Sequence, residues 1–206
     1  MVREVWLTPG NKILQDDRYF KLSQDSVLLS SFARPKKDWH GLDLCCGVGP
    51  LGALVHLKYG ALCDGLELQP GAADLAADNF RRVGMTDSQV YCMDLRQLPG
   101  SLSDRYKFCI CNPPYFGTDR GKVSPREAIA LARSEEGCGI DDVCKAASKL
   151  LCTGAPLYIC YKPERLAALM AACRENGLEP KRMQLVHHRA DKPAVLVMLE
   201  ARKGYR

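Results

Sequence analysis

A run of four apolar residues, Phe108-Cys109-Ile110-Cys111, ends abruptly at Asn112-Pro113-Pro114-Tyr115. The run reads as a buried strand, and the two prolines stop it because neither can donate to a ladder. The strand's carboxyl end then carries an amide side chain, a rigid turn and an aromatic ring. In open α/β sheets that edge is where ligands bind. The amide oxygen of Asn112 and the main-chain carbonyl of Pro113 are two acceptors suited to both hydrogens of a planar amino group. Such an amine is a poor nucleophile while its lone pair is delocalised, and two acceptors favour the pyramidal, reactive form. Tyr115 offers a face on which a planar base can stack. A plain strand-to-loop turn capped by Asn explains the motif equally well until the rest of the chain is considered.

Strand and helix patterns alternate through the sequence. Residues 12–20 read as a small hairpin turning at Asp16-Asp17, and Ser23 or Asp25 caps a helix through Val27, Leu28, Leu29 and Phe32. Gly41–Cys46 is the first buried strand. Gly47-Val-Gly49-Pro50-Leu-Gly52 is a tight turn that opens a helix through Leu54, Val55 and Leu57. Ala61–Glu67 is a second strand, and a helix runs from Pro70 to Val83, where Gly84 stops it. Gln89–Met93 is a third strand ending at Asp94, and Phe108–Cys111 is the fourth. Residues 117–138 read as a long loop over the site, with a helix near 125–133. A helix from Asp141 precedes a fifth strand, Ala155–Tyr161, and a helix from Pro163 ends at Gly177. Two last strands, near 181–187 and 193–201, have no helix between them and should pair as a hairpin. The expected fold is α/β and Rossmann-like. It has a mostly parallel seven-stranded sheet with an antiparallel last strand and helices on both faces. Residues 1–38 are expected to cover a core formed by 39–206, all in one domain.

Composition narrows the class. The chain has 206 residues, 47% hydrophobic and 26% charged, ordinary for a soluble protein. No apolar run approaches the roughly 20 residues needed to span a bilayer, and the first residues lack the apolar core of a signal peptide. A cytoplasmic location and no membrane partner are expected; the sequence leaves the oligomeric state open, a monomer being favoured over an oligomer. Eleven cysteines without a Cys-x-x-Cys pair suit buried thiols in a reducing compartment better than a metal site, and no metal is expected. Cys45, Cys63, Cys92, Cys160 and Cys173 lie in apolar surroundings. The net charge of +5 is uneven: residues 181–206 carry seven Lys/Arg against Asp191 and Glu200. That asymmetry points to an anionic partner, although a basic solvated strand edge accounts for it as well. Arg34, Lys36 and Lys37 are the other basic residues expected on that face.

Gly47-x-Gly49-x-x-Gly52, with Glu67 some 20 residues on, matches the dinucleotide fingerprint. Glycines let a ligand approach the backbone at a helix N-terminus, and Glu67 can accept both ribose hydroxyls. NAD and S-adenosylmethionine share these needs. Asp94 can accept from an adenine amine, and Asp43 can hold the amino group of a methionine moiety. Asp43 and Asp94 can also simply cap neighbouring turns. Asp43, Glu67, Asp94 and Asn112 all fall near the carboxyl ends of successive strands, which favours a ligand. Asn-Pro-Pro-Tyr orients a methyl acceptor and offers an oxidoreductase nothing obvious.

Asp43-Leu-Cys-Cys-Gly-Val-Gly49, Glu67, Asp94 and Asn112-Pro-Pro-Tyr115 resemble the motifs of class I S-adenosylmethionine-dependent amino-methyltransferases. The closer resemblance is to the bacterial family that methylates N6 of adenine 37 in a valine tRNA. Arg18–Leu29, Arg133–Glu136, Lys162–Leu166, Ala190–Ala194 and Glu200–Gly204 extend it over nearly the whole chain. Cys45 departs from the pattern, standing where many class I enzymes have the first glycine of the loop. The resemblance implies S-adenosylmethionine as cofactor, held by Asp43, Cys45, Gly47, Gly49, Glu67, Leu68, Asp94, Leu95 and Asn112. It implies chemistry at Asn112, Pro113 and Tyr115. The partner is then tRNA; the basic charge of residues 181–206 makes Arg189, Lys192 and Lys203 its expected contacts, together with Phe116 beside the motif. The catalytic motif also occurs in methylases of DNA, rRNA and protein glutamine. A protein glutamine N5-methyltransferase is therefore the alternative, ahead of an NAD-dependent oxidoreductase or a non-catalytic RNA-binding module.

Overall fold

In the computed structural model, residues 1–113 and 138–204 are described. Seven strands form one sheet. They are β3 (His40–Leu44), β4 (Leu62–Glu67), β5 (Val90–Cys92), β6 (Phe108–Cys111), β7 (Pro156–Tyr161), β8 (Leu178–His187) and β9 (Ala194–Lys203). Their order is β5-β4-β3-β6-β7-β9-β8. The first five run parallel, whereas β9 is antiparallel to both β7 and β8. This is the expected sheet, closing hairpin included. The chain winds outward from β3 to β5 and then, from β6, outward the other way. Strand order therefore reverses between β3 and β6, which brings the loops after those two strands together.

Both faces of the sheet are covered. On one face, Phe108, Ile110, Tyr158, Cys160 and Met198 pack under helices α1 (Gln24–Phe32), α2 (Pro50–Tyr59) and α3 (Pro70–Arg82). On the other, Cys109, Cys111, Leu157, Ile159 and Leu199 pack under α4 (Ile140–Leu150) and α5 (Leu166–Glu175). Alternate residues of one strand thus serve two cores, and the apolar run at 108–111 is fully buried. Packing across β3 is tight enough to dictate residue type. A Cβ at Gly41 would sit 2.3 Å from the Phe108 ring. Below the sheet's carboxyl edge, the fully buried Asp64 ties three strands together. It accepts from His40 Nε2 at 2.8 Å, the Gln89 N–H at 2.9 Å and the Tyr106 hydroxyl at 2.9 Å.

The N-terminal hairpin is not where the sequence placed it. Strands β1 (Val2–Thr8) and β2 (Asn11–Asp16) form a separate two-stranded sheet turning at Pro9-Gly10, and Gly10 has φ 84°. Pro followed by Gly with positive φ is a stronger turn signal than two aspartates. Asp16 instead ends β2, where the Arg18 side chain and N–H bind its carboxylate and hold it well below the usual carboxylate range. Ser23, not Asp25, caps α1, accepting from the Ser26 N–H at 3.3 Å. The helix from Pro163 begins with a single 3-10 turn before α5, and β8 starts at Leu178, earlier than expected. The loop over 117–138 and the helix near 125–133 lie, except for Cys138, outside the described residues.

Candidate active site

The loop after β3 is built from backbone conformations that few side chains tolerate. Cys45, Gly47 and Gly49 have φ of 58°, 55° and 81°. At Gly49 a Cβ would also meet the Phe80 ring at 2.7 Å. Cys45, at the position of the missing glycine, adopts the left-handed conformation that glycine would take, so the loop keeps its path with a side chain added. Asn79 of α3 fixes this loop from behind. It is fully buried, donates to the Val48 carbonyl at 2.8 Å, and bonds both main-chain groups of Leu14 in β2. The hairpin, α3 and the glycine loop are thereby one unit. Nothing in the sequence marked Asn79, because a mid-helix Asn gives no sign of which strand it faces.

Two carboxylates stand at this edge without a basic partner among the described residues. Asp43, 1% exposed, accepts from the Gly52 N–H at 2.9 Å. Burial pushes its carboxyl up to about 8, against the pull of that N–H and with a further push from Glu67. Glu67 accepts from the Gly47 N–H at 2.9 Å through one oxygen and from the Gln69 N–H at 2.9 Å through the other. Burial raises it above the usual range, opposed by those N–H groups. Each oxygen keeps a lone pair for a further donor. Buried acids that lack a cation suit a ligand bearing an ammonium group and a pair of hydroxyls, the chemistry of S-adenosylmethionine. Asp43 lines a small cavity with Phe20, Ser26, Cys45, Leu51 and Asn112. Phe20 is half exposed and its Cβ lies beside Gly47. Nothing in the sequence flagged Phe20 as a site residue.

The other expected residues divide. Asp94 caps a 3-10 turn through the Arg96 N–H at 2.9 Å, and its two oxygens meet the Arg96 guanidinium at distances down to 2.6 Å. That side chain holds its carboxyl below the usual range. Of the two readings of Asp94, the cap is the one formed here, and an adenine amine would have to share the carboxylate with Arg96. Leu68, after Glu67, is 48% exposed and available to a ligand, but Leu95 is 6% exposed and packed into the core, which leaves only its main chain. Asn112 and Pro113 follow β6 at the same edge as Asp43, and both are buried. Tyr115 and Phe116 lie outside the described residues.

The basic segment does not form one face. The β8–β9 turn, with His187, His188, Arg189 and Lys192, is at the carboxyl edge of the parallel strands, the edge that carries the site, with β7 between it and β6. Lys203 is at the opposite end, because β9 runs antiparallel. It donates to Asp104 and to the Leu151 carbonyl at 2.7 and 2.8 Å. Arg182 lies over the Phe32 ring and on Glu200, and Arg202 pairs with Glu200. Lys36 and Lys37 lie at the far end as well, against Trp39 and Gly60 just before β3 and β4. The cysteines are also less uniform than expected. Seven are buried, but Cys45 is partly accessible and Cys92 is exposed. Among the described residues no group of three potential metal ligands converges, and no helix is long and apolar enough to cross a membrane.

A glycine loop at the point of strand reversal, acids at the ends of β3 and β4 and Asn112-Pro113 after β6 define a Rossmann-like methyltransferase fold of class I. The chain belongs to the methyltransferase small domain family, whose model matches residues 22–132. It is 26% identical to a tRNA1(Val) (adenine(37)-N6)-methyltransferase of Edwardsiella ictaluri over 189 residues, covering 91% of this chain and 76% of that protein. It is 25% identical to the enzyme of the same name from Parabacteroides distasonis, covering 91% and 79%. Among solved structures, a TehB-like SAM-dependent methyltransferase from Corynebacterium glutamicum superposes with a TM-score of 0.59 at 15% identity, covering 89% of each chain. TrmN from Thermus thermophilus gives 0.62 at 18% identity, covering 86% of this chain and 48% of that one. These two likenesses concern the fold.

Proposed function

We propose that this chain transfers a methyl group from S-adenosylmethionine to the exocyclic amine of an adenine in tRNA, adenine 37 of the anticodon loop being the expected target. One observation carries the reading. Asn112, the amide that ends β6, shares a cavity with Asp43 and the glycine loop, so an amine acceptor and a cofactor site adjoin. The names of the relatives support tRNA as the substrate.

When bound, S-adenosylmethionine supplies an electrophilic methyl on a sulfonium. The protein's part is to position and polarise. Asp43 takes the ammonium group of the methionine moiety, and Glu67 takes the ribose hydroxyls through its unused lone pairs. The Asn112 amide oxygen and the Pro113 carbonyl accept the two hydrogens of the target amine and localise its lone pair. Alignment and these hydrogen bonds are the main sources of acceleration. An adenine in an RNA loop is cheaper to extract than one in a duplex. Arg189 and Lys192, at the same edge of the sheet, are the candidates for phosphate contacts, both near Asp191, at 3.2 and 3.7 Å. Such contacts would position the RNA without reading its sequence.

The test is a methylation assay with methyl-labelled S-adenosylmethionine, offering total tRNA in one arm and release factor protein in the other. The expected product is N6-methyladenosine in digested tRNA, absent with Asn112→Ala. Label on protein glutamine would move the assignment to the alternative substrate. Label in neither arm, with S-adenosylhomocysteine still bound, would overturn both.

A further inference from the structure

Asn112 is gripped from two sides by groups to which the sequence assigned no role in the site. Its Nδ2 donates to Oγ of Ser26 at 3.1 Å and lies 3.5 Å from Oγ of Ser23, both at the start of α1. Its Oδ1 accepts from the thiol of Cys160, on the neighbouring strand β7, at 3.1 Å. Ser26 is 1% and Cys160 0% exposed, so the contacts are sheltered from water. The serine hydroxyls are themselves placed. Ser23 Oγ caps α1 by accepting from the Ser26 N–H, and the two hydroxyl oxygens are 3.3 Å apart.

Given the amine methylation proposed above, we propose that Ser26 and Cys160 are positioning residues that set the orientation and the acceptor strength of the Asn112 amide. Three physical points support this. Donation from Nδ2 to a hydroxyl polarises the amide and makes Oδ1 a better acceptor, since linked hydrogen bonds reinforce one another. Orientation matters because the amide must offer oxygen, not NH2, to a substrate that is itself a donor. The Ser26 contact occupies the NH2 end. Finally, a thiol is a weak donor, and an amide oxygen has two lone pairs. Cys160 therefore satisfies the buried oxygen between turnovers without competing strongly with the incoming amine. Burial pushes the Cys160 thiol far above its ordinary value, so it remains S–H and keeps donating. A serine at 160 would donate more strongly and retain the oxygen for itself.

The experiment compares Ser26→Ala, Ser26→Thr, Cys160→Ala and Cys160→Ser in the full chain. Each is read by kcat and KM on tRNA, by S-adenosylhomocysteine affinity, and by hydrogen-exchange protection of the Asn112 side-chain NH2 in 15N spectra. Ser26→Ala should lose that protection and lower kcat about 10-fold with cofactor affinity and KM little changed, the scale of one polar contact. Ser26→Thr should restore both. Cys160→Ser should lose more kcat than Cys160→Ala, although serine is the closer mimic in size and polarity. Wild-type kcat and unaltered NH2 protection in Ser26→Ala would overturn the inference, as would a larger loss in Cys160→Ala than in Cys160→Ser. Should wild type leave tRNA unmethylated, the substrate reading fails by itself. The NH2 protection of the variants then still decides whether Ser26 holds Asn112.

Discussion

Replacing Asp43 by Asn should remove a pH dependence that the site itself creates. Asp43 is buried with a single N–H partner, and its carboxyl is raised to about 8. Around pH 6.5 it is therefore mostly protonated in the free protein. An ammonium group placed against it would favour the carboxylate, so cofactor binding should expel a proton. If the complex brings the carboxyl back to the ordinary carboxylate range, affinity should rise with pH, by up to about 20-fold between pH 6 and 7.5. Each tenfold step of that rise corresponds to about 1.4 kcal/mol. The same group acts on stability with the opposite sense. Its folded value lies above the ordinary 3.8, so the folded state binds a proton that the unfolded state has lost. Stability should therefore fall as pH rises from about 4 to about 8 and level off above, with a slope of at most about 1.4 kcal/mol per pH unit. The assay is isothermal titration with S-adenosylhomocysteine at several pH values, in buffers of different ionisation heat, alongside urea unfolding over the same range. Wild type should release close to one proton near pH 6.5, and Asp43→Asn should bind more weakly with a flatter profile, the remaining slope belonging to Glu67. Binding without proton release, or an equal pH slope in both proteins, would refute the assignment of Asp43 to the cofactor's ammonium.

Three further outcomes are expected. Asn112→Ala should keep most cofactor affinity and lose on the order of 100-fold or more in kcat, as when one oriented polar group is removed; saturating single-turnover kinetics would reveal near-normal chemistry if the role were wrong. Asp64→Ala should destabilise the fold by about 3 kcal/mol or more, since it strands the Tyr106 hydroxyl, His40 and the Gln89 N–H; a urea midpoint within error of wild type would contradict this. The double variant Arg189→Ala/Lys192→Ala should weaken tRNA binding and flatten its dependence on log salt by up to about two, whereas Lys203→Ala should leave that slope unchanged because its ammonium is spent on Asp104 and Leu151.

Much of this architecture was legible in the residues. Strands and helices alternate with short connections, and the apolar run at Phe108–Cys111 is long enough only for a strand buried on both faces. Local chemistry likewise carried the glycine loop and the stop at Pro113-Pro114, since φ and hydrogen-bonding limits act on single residues. The tertiary structure decided what depends on direction and on distant partners. Lys203 and Arg189 lie in one basic stretch of sequence, yet the reversal of β9 sends them to opposite ends of the sheet. Asp94 reads as a ligand beside Glu67, and in the fold its carboxylate is also held by Arg96, two residues on. Ser26, Asn79 and Cys160 carry no local signal at all. Each matters because of polar contacts to residues far away in the chain, and such contacts exist only once α1 and α3 have packed on the sheet and β7 lies beside β6.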